Sequence, residues 1–389
     1  MRLLHTSDWH LGRSFHRESL LDAQRAFLDH LVAVVRSERV DAVLVAGDVY
    51  DRALPGLDAV ALFDDVLHRL AALEVPAVFI SGNHDSARRL GVAAGLIGRA
   101  GIHLRTDPAN CATPVLLADR HGPVALYGLP YLEPALVREG LGLERGGHAA
   151  VLGAAMDRVR ADLAGRPAGT RSVVLAHAFV TGGQPCDSER DITVGGVAGV
   201  PAPVFDGVDY VALGHLHGCQ TLTPRLRYSG SPLAYSFSEA RQRKSMWLVE
   251  LGADGAVAAE RIACPVPREL ACLRGSLKEL LTLPEYDTYR DCWVQVTLTD
   301  PGRPAEPMER LRRRFPHTLQ LLFDPDETPG DGKPSYAARL RGRTDLEVAE
   351  GFVRHVRPGD EVDPAERVWL REAFEAVRQS ADRAQEGAR

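Results

Sequence analysis

The stretch Ala42-Val43-Leu44-Val45-Ala46-Gly47-Asp48-Val49-Tyr50-Asp51 sets five apolar residues directly against a glycine and two carboxylates. A short, continuous apolar run bounded by a turn signal reads as a strand buried on both faces. The glycine lets the chain turn sharply where the strand ends, so Asp48 and Asp51 fall in the loop beyond it. The same construction recurs. Arg2 to His5 leads into Asp8-Trp9-His10, and Ala77 to Ile80 into Gly82-Asn83-His84-Asp85. Ser172 to Ala176 leads into His177, and Tyr210 to Leu213 into Gly214-His215-Leu216-His217. Between these strands lie segments with helical spacing, over residues 20–35, 58–73, 86–99 and 149–164. Buried strands alternating with amphipathic helices predict a layered α/β core. In such sheets, ligand-binding groups gather beyond the carboxyl ends of the strands.

From Arg227 to Ile262 the texture turns β-rich, which predicts that antiparallel strands close the sandwich. Pro265 and Pro267 mark a boundary, so the first domain is read as residues 1–265. A smaller α+β unit follows over 266–330, with an Arg-rich helix near Met308–Phe315. Residues 331–389 read as a linker and a helical tail, the Pro/Gly/Asp-rich linker running over 324–334. The tail helices, 346–356 and 364–384, carry a narrow apolar stripe that includes Phe352, Val356, Val368, Trp369 and Val377. A narrow stripe on a charged helix suits a partner's groove.

Composition sets outer bounds. The 389 residues carry 46 basic and 52 acidic side chains, a formal charge of −6, and only Lys244, Lys278 and Lys333 are lysines. That balance excludes a uniformly basic nucleic-acid coat and argues against tight, unaided duplex binding. No apolar run approaches the length of a membrane span. The start, Met1-Arg2-Leu3-Leu4-His5, reaches Asp8 too soon for a signal peptide. The six cysteines form no C-x-x-C pair, which speaks against a zinc ribbon or disulfide framework and fits a reducing cytoplasm. There is no phosphate-binding P-loop motif, so any ATP dependence must come from another chain.

The strand-end clusters together offer carboxylate, imidazole and amide oxygen, a donor set suited to hard-to-borderline divalent ions such as Mn²⁺. In D-x-H and H-x-H the two side chains of an extended segment point the same way. Taken singly, several are weak: a D-x-H is usually a surface turn, G-D-x-x-D is often an Asx-turn, and a lone His177 is more often a core histidine. Gly82-Asn83-His84-Asp85 is sharper, and five clusters in one order, each at a strand end, exceed chance.

That order resembles the calcineurin-like metallophosphoesterases over about residues 1–265. The run Asp8-Trp9-His10-Leu11-Gly12-Arg13 and the later Gly230-Ser231-Pro232 resemble the DNA-repair nuclease subunits within that family. The smaller unit and tail match only in layout. The resemblance implies an α/β/β/α sandwich with an α+β capping domain and a C-terminal helical tail. It also implies two divalent ions, typically Mn²⁺. By motif, Asp8, His10 and His217 would hold one ion, Asn83, His177 and His215 the other, and Asp48 would bridge them. His84 would face the scissile phosphate, and Asp85 would hold its imidazole. Arg13 and Asp51 would lie on the substrate side. Asp51 stands where many relatives have histidine, which leaves its role open.

Arg310, Arg312, Arg313 and Arg314 would contact DNA or form a solvated helix face. Helices 58–73 and 86–99 would cover the sheet or, as in the family, form a homodimer with Leu62, Leu90, Val92 and Leu96 toward a partner. The tail would bind the coiled-coil base of an SMC-type ATPase. The implied activity is an ATP-dependent 3′→5′ double-strand exonuclease and single-strand or hairpin endonuclease of the cytoplasm. The metal motifs alone would also suit a protein phosphatase or cyclic-nucleotide phosphodiesterase. A non-catalytic DNA-end scaffold is the rival of a different class.

Overall fold

The computed structural model describes residues 1–190, 192, 199–325, 343–356 and 362–386. Of the linker expected over 324–334, residues 326–334 lie outside the described residues.

The first six-stranded sheet runs in the order Val257–Ala263, Ser245–Leu251, Arg2–Thr6, Ala42–Ala46, Ala77–Ile80, Ile102–Arg105. The last four strands are parallel, and the first two join antiparallel. The second sheet runs Gln220–Thr223, Leu226–Tyr228, Tyr210–Gly214, Arg171–His177, Gly122–Leu129, Val115–Asp119, with parallel strands at its centre. Because neighbouring strands run the same way, their carboxyl ends fall on one edge of each sheet.

The two sheets share a core built by Leu3, Leu44, Val78 and Ile80 from the first and Val124, Leu126, Val173, Leu175 and Ala212 from the second. Strands buried on both faces lose the period-two alternation, which is why they read as unbroken apolar runs. Helices Leu21–Ser37 and Leu57–Ala72 cover the outer face of the first sheet through Phe27, Leu31, Leu62 and Val66. Helix His148–Ala164 covers the second through Val151, Ala155 and Val159. Each fully buried Leu, Val or Phe contributes about 1.5–3 kcal/mol. The layers are therefore α/β/β/α. Strands Ser245–Leu251 and Val257–Ala263 close the first sheet antiparallel, whereas Leu226–Tyr228 joins the second sheet parallel and only Gln220–Thr223 beyond it runs antiparallel.

A third, parallel sheet of Leu270–Gly275, Trp293–Leu298 and Thr318–Phe323 carries helices Leu277–Thr282 and Pro307–Arg314 around Leu273, Leu280, Val296, Leu311 and Phe315. Its Leu270, Trp293 and Leu319 lie against Phe15 and Phe237 of the large domain. Residues 1–325 form one compact unit, and 326–389 a second. In the second, helices Asp345–Val356 and Pro364–Glu386 are tied by a bidentate Arg367–Glu350 ion pair.

Helix 86–99 is not continuous. It breaks into Ala87–Leu90, Ala94–Ile97 and a 3-10 turn at Gly98–Ala100, because Ala93 takes a left-handed φ of +58°. Gly91, Gly95 and Gly98 give the segment little helical preference to resist that break. Leu62 and Leu90 belong to the chain's own core and cannot face a partner, whereas Val92 and Leu96 are exposed.

Candidate metal centre

Two loops that follow parallel strands are stitched to each other. The Asp8 amide donates to Gly47 O at 3.0 Å, His10 N to Asp48 O at 3.0 Å, and Leu11 N to Val49 O at 2.9 Å. Asp8, His10, Asp48 and His215 all hold left-handed backbones, with φ of 53°, 45°, 50° and 108°. Such conformations cost a non-glycine residue about 1–3 kcal/mol and persist where the surroundings over-determine them, most often at functional sites. Gly82 and Gly214 are required by close approach: a Cβ on Gly82 would strike the Asp48 carboxylate, and one on Gly214 the Ala46 carbonyl.

These loops bring Asp8, His10, Asp48, Asn83, His84, His177, His215 and His217 together at the carboxyl edge of both sheets. Three triads each place one donor atom within 4.8 Å of the others: Asp8–His10–His217, His10–Asp48–His84 and Asp8–Asp48–His177. Asp48 Oδ2 lies 3.7 Å from His10 Nε2, 3.6 Å from His177 Nε2 and 4.0 Å from His84 Nε2. Its other oxygen accepts the His84 amide at 2.9 Å. The Asp8 carboxylate accepts the His215 amide.

Proton accounting tests whether this set suits cations. His177 Nδ1 sits 2.9 Å from the Ala46 carbonyl, which can only accept, so Nδ1 carries the proton and Nε2 is bare. That bare nitrogen meets the Asn83 amide oxygen at 2.8 Å, and His215 Nδ1 approaches the same oxygen at 3.2 Å. His10 Nε2 and His217 Nε2 face each other at 3.1 Å, while buried His10 Nδ1 has no hydrogen-bond partner. A bare His177 nitrogen pointed at the Asn83 oxygen, two imidazole nitrogens face to face and two buried carboxylates beside them form a donor set that fits divalent cations. Burial pushes the Asp8 and Asp48 carboxyls up, with the Asp48 charge adding to Asp8. Burial lowers His10, His84, His215 and His217, and takes His177 down to about 4. Neutral imidazoles are the form that ligates a metal.

Asp85 does not hold His84. Its carboxylate accepts the backbone amides of Val49 at 3.0 Å, Tyr50 at 2.8 Å and Gly82 at 2.9 Å, so it ties the two motif loops together. Burial and the nearby Asp48 push it up to about 7, against those three donors. His84 instead sets Nδ1 2.9 Å from the Asp51 carbonyl. The Asp51 side chain lies 3.5 Å from Arg13 and 3.7 Å from His10 Nδ1, and Arg13 also stacks over Tyr235 and donates to the Ser188 carbonyl.

The arginine cluster divides. Arg314 donates to the Leu280 and Leu283 carbonyls and pairs with Asp287, and Arg312 donates to the Thr318 carbonyl, so both brace the small domain. Arg313 pairs with Glu309 on an exposed face, and Arg310 is exposed beside it.

Sequence reasoning missed Ser188, Tyr235, Glu239 and Lys244. The ring of Tyr235 packs edge-on to His10 and His217, and its hydroxyl donates to Trp9 O at 2.6 Å. These residues sit on irregular loops with no period and no metal-ligand spacing.

With this geometry in hand, comparison with known proteins places the chain. Residues 1–219, more than half of the sequence, match the family described as Calcineurin-like phosphoesterase, and the protein belongs to that family. Residues 266–357 match a second family, SbcD_C, described as Type 5 capsule protein repressor C-terminal domain. Among solved structures the fold is similar to TT1561 of Thermus thermophilus, at 13% identity over 67% of this chain and 98% of that one, TM-score 0.39. It is also similar to GAP50, the anchor in the inner membrane complex of Plasmodium, at 13% identity over 68% and 84%, TM-score 0.44. A dimetal phosphatase from Danio rerio matches at 15% identity over 67% and 95%, TM-score 0.39. Among the described residues, no helix is long and apolar enough to cross a membrane.

Proposed function

We propose that this chain is an SbcD-type nuclease subunit, a two-metal-dependent DNA phosphodiesterase that works with an SMC-like ATPase of the SbcC type. The observation that carries the reading is the pairing, on one polypeptide, of a phosphoesterase domain and a domain matching SbcD_C. A generic phosphatase has no need of the second.

Asp8, His10 and His217 would hold one cation, Asn83, His177 and His215 the other, with Asp48 between them. The paired ions, most naturally Mn²⁺ for this donor set, supply an activated water and charge stabilisation for in-line displacement at phosphorus. The protein's own contribution is positioning. The Asp51 carbonyl keeps the proton of His84 on Nδ1, which leaves Nε2, 4.0 Å from Asp48 Oδ2, able to bind and pass a proton beside the centre. Burial keeps the ring neutral, so Nε2 would first take up a proton and then hydrogen-bond a phosphoryl oxygen or protonate the leaving oxygen.

The tail helices would dock on the ATPase, and the exposed Leu57, Val60, Val92 and Leu96 would meet a second copy of this chain. Light scattering at micromolar protein should then give twice 42.3 kDa, and a clean monomer would contradict the dimer. The decisive assay offers the purified protein a DNA hairpin, a blocked-end duplex, a phosphopeptide and a cyclic nucleotide, each with Mn²⁺ and with chelator. Metal-dependent cutting of the hairpin is expected, and ATP with the partner should extend it to duplex ends. Turnover of only the phosphopeptide or the cyclic nucleotide would overturn the assignment.

A further inference from the structure

We propose that Glu239, held by Lys244 and acting through Ser188, is the positioning residue that keeps His217 in its metal-ligating form. This rests on the two-ion reading above and deepens it.

Glu239 ends the short turn Phe237–Glu239 and is 1% exposed. One carboxylate oxygen pairs with the buried Lys244 ammonium, and the other accepts the Tyr235 amide at 3.0 Å and the Ser188 hydroxyl at 2.6 Å. The same Ser188 oxygen lies 2.7 Å from His217 Nδ1. Lys244 also donates to the His217 carbonyl at 2.9 Å. Glu189, next to Ser188, accepts the His217 amide at 2.7 Å. His217 is thus gripped at ring, amide and carbonyl by three polar groups that touch no other candidate ligand.

The hydroxyl has one proton, and that fixes the tautomer. A carboxylate paired with an ammonium can only accept, so Ser188 must donate to Glu239. Ser188 then accepts from His217, which puts the imidazole proton on Nδ1. Nε2 is left bare, facing His10 Nε2 at 3.1 Å. Without the charge on Glu239, Ser188 can turn its proton toward Nδ1, and His217 would then present an N–H where a cation needs a lone pair. Outer-shell partners of ligating histidines commonly set tautomer and basicity in this way. A buried ion pair is weak evidence of stabilisation by itself, because desolvation offsets the attraction. Its position directly behind a candidate ligand is what gives it a role.

The test is calorimetric titration of Mn²⁺ into metal-free full-length protein, with melting of the metal-free forms as a check on folding. Wild type should bind two ions. Glu239→Gln and Ser188→Ala should weaken one of them by roughly 10–100-fold and leave the other unchanged. Ser188→Thr, which keeps the hydroxyl, should restore wild-type binding. Ser188→Ala leaves the Glu239–Lys244 pair intact and should melt close to wild type, so its loss of affinity cannot be ascribed to unfolding. Wild-type affinity at both sites in Ser188→Ala and Glu239→Gln, or equal weakening of both, would overturn the inference. Failure of wild type to bind Mn²⁺ at all would overturn the two-ion reading itself.

Discussion

Two neighbours in the Gly82-Asn83-His84-Asp85 motif have opposite duties. His84 sets Nδ1 against the Asp51 carbonyl and turns Nε2 toward the centre, 4.0 Å from Asp48, whereas Asp85 is spent on three backbone amides. His84→Ala should therefore bind both ions as wild type does in a Mn²⁺ titration, while hydrolysis falls by about 10²-fold or more. Asp85→Ala should instead destabilise the fold by about 3 kcal/mol in urea unfolding, since each amide left without a partner costs about 1–3 kcal/mol and water will reach some of them. Loss of hydrolysis in Asp85→Ala with no loss of stability would contradict this division. Adjacency in sequence suggested a carboxylate–imidazole pair, but successive residues on a turn point apart, and the partners of Asp85 arrive from the distant loop at Val49 and Tyr50. The residues gathered at the centre stand out in the sequence because each lies at or just beyond a strand end. Glu239 and Ser188 do not, because nothing in local spacing marks a side chain that supports a ligand.

Parallel strands ending on one edge create the site, and the glycines behind them keep it open. Gly82→Ala would drive a methyl group into the Asp48 carboxylate, and Mn²⁺ binding should fall to at most one ion in the same titration. At the far edge of the second sheet, Asp119 accepts two bonds from the buried Arg171 guanidinium and pairs with the chain's amino terminus. Arg171 foremost, then that amino group, hold its carboxyl well below the usual carboxylate range. A depressed folded-state pKa means that the stabilisation is complete above the ordinary value of about 4 and is lost as pH falls through the lower one. Asp119→Asn should lower stability at pH 7 by about 3 kcal/mol and flatten its decline in acid. An unchanged acid limb in thermal melts would contradict that. The core strands were readable as apolar runs. The segment 86–99 was not, because helical spacing says nothing of a left-handed residue such as Ala93. Edge strands Ile102–Arg105 and Val115–Asp119 are half-buried and too short to carry a clear period.

Over the whole molecule, the charge of −6 ceases to speak against a phosphodiester substrate. Part of the acidity is Asp8 and Asp48, buried where two cations would outweigh them, and bound metals invert local electrostatics. Residues 1–325 form a compact unit of their own. A chain ended after Pro325 should therefore keep its melting temperature and Mn²⁺ stoichiometry, and on the proposed function it should no longer co-purify with the proposed ATPase. The tail's helices could be read from their apolar stripe, but a stripe does not say what covers it. The central claim is a pair of cations across Asp48, and anomalous diffraction from crystals soaked in Mn²⁺ tests it most directly. Two peaks about 3.5–4 Å apart are expected, one beside Asp8, His10 and His217 and one beside Asn83, His177 and His215. A single peak, or none among these side chains, would contradict the account.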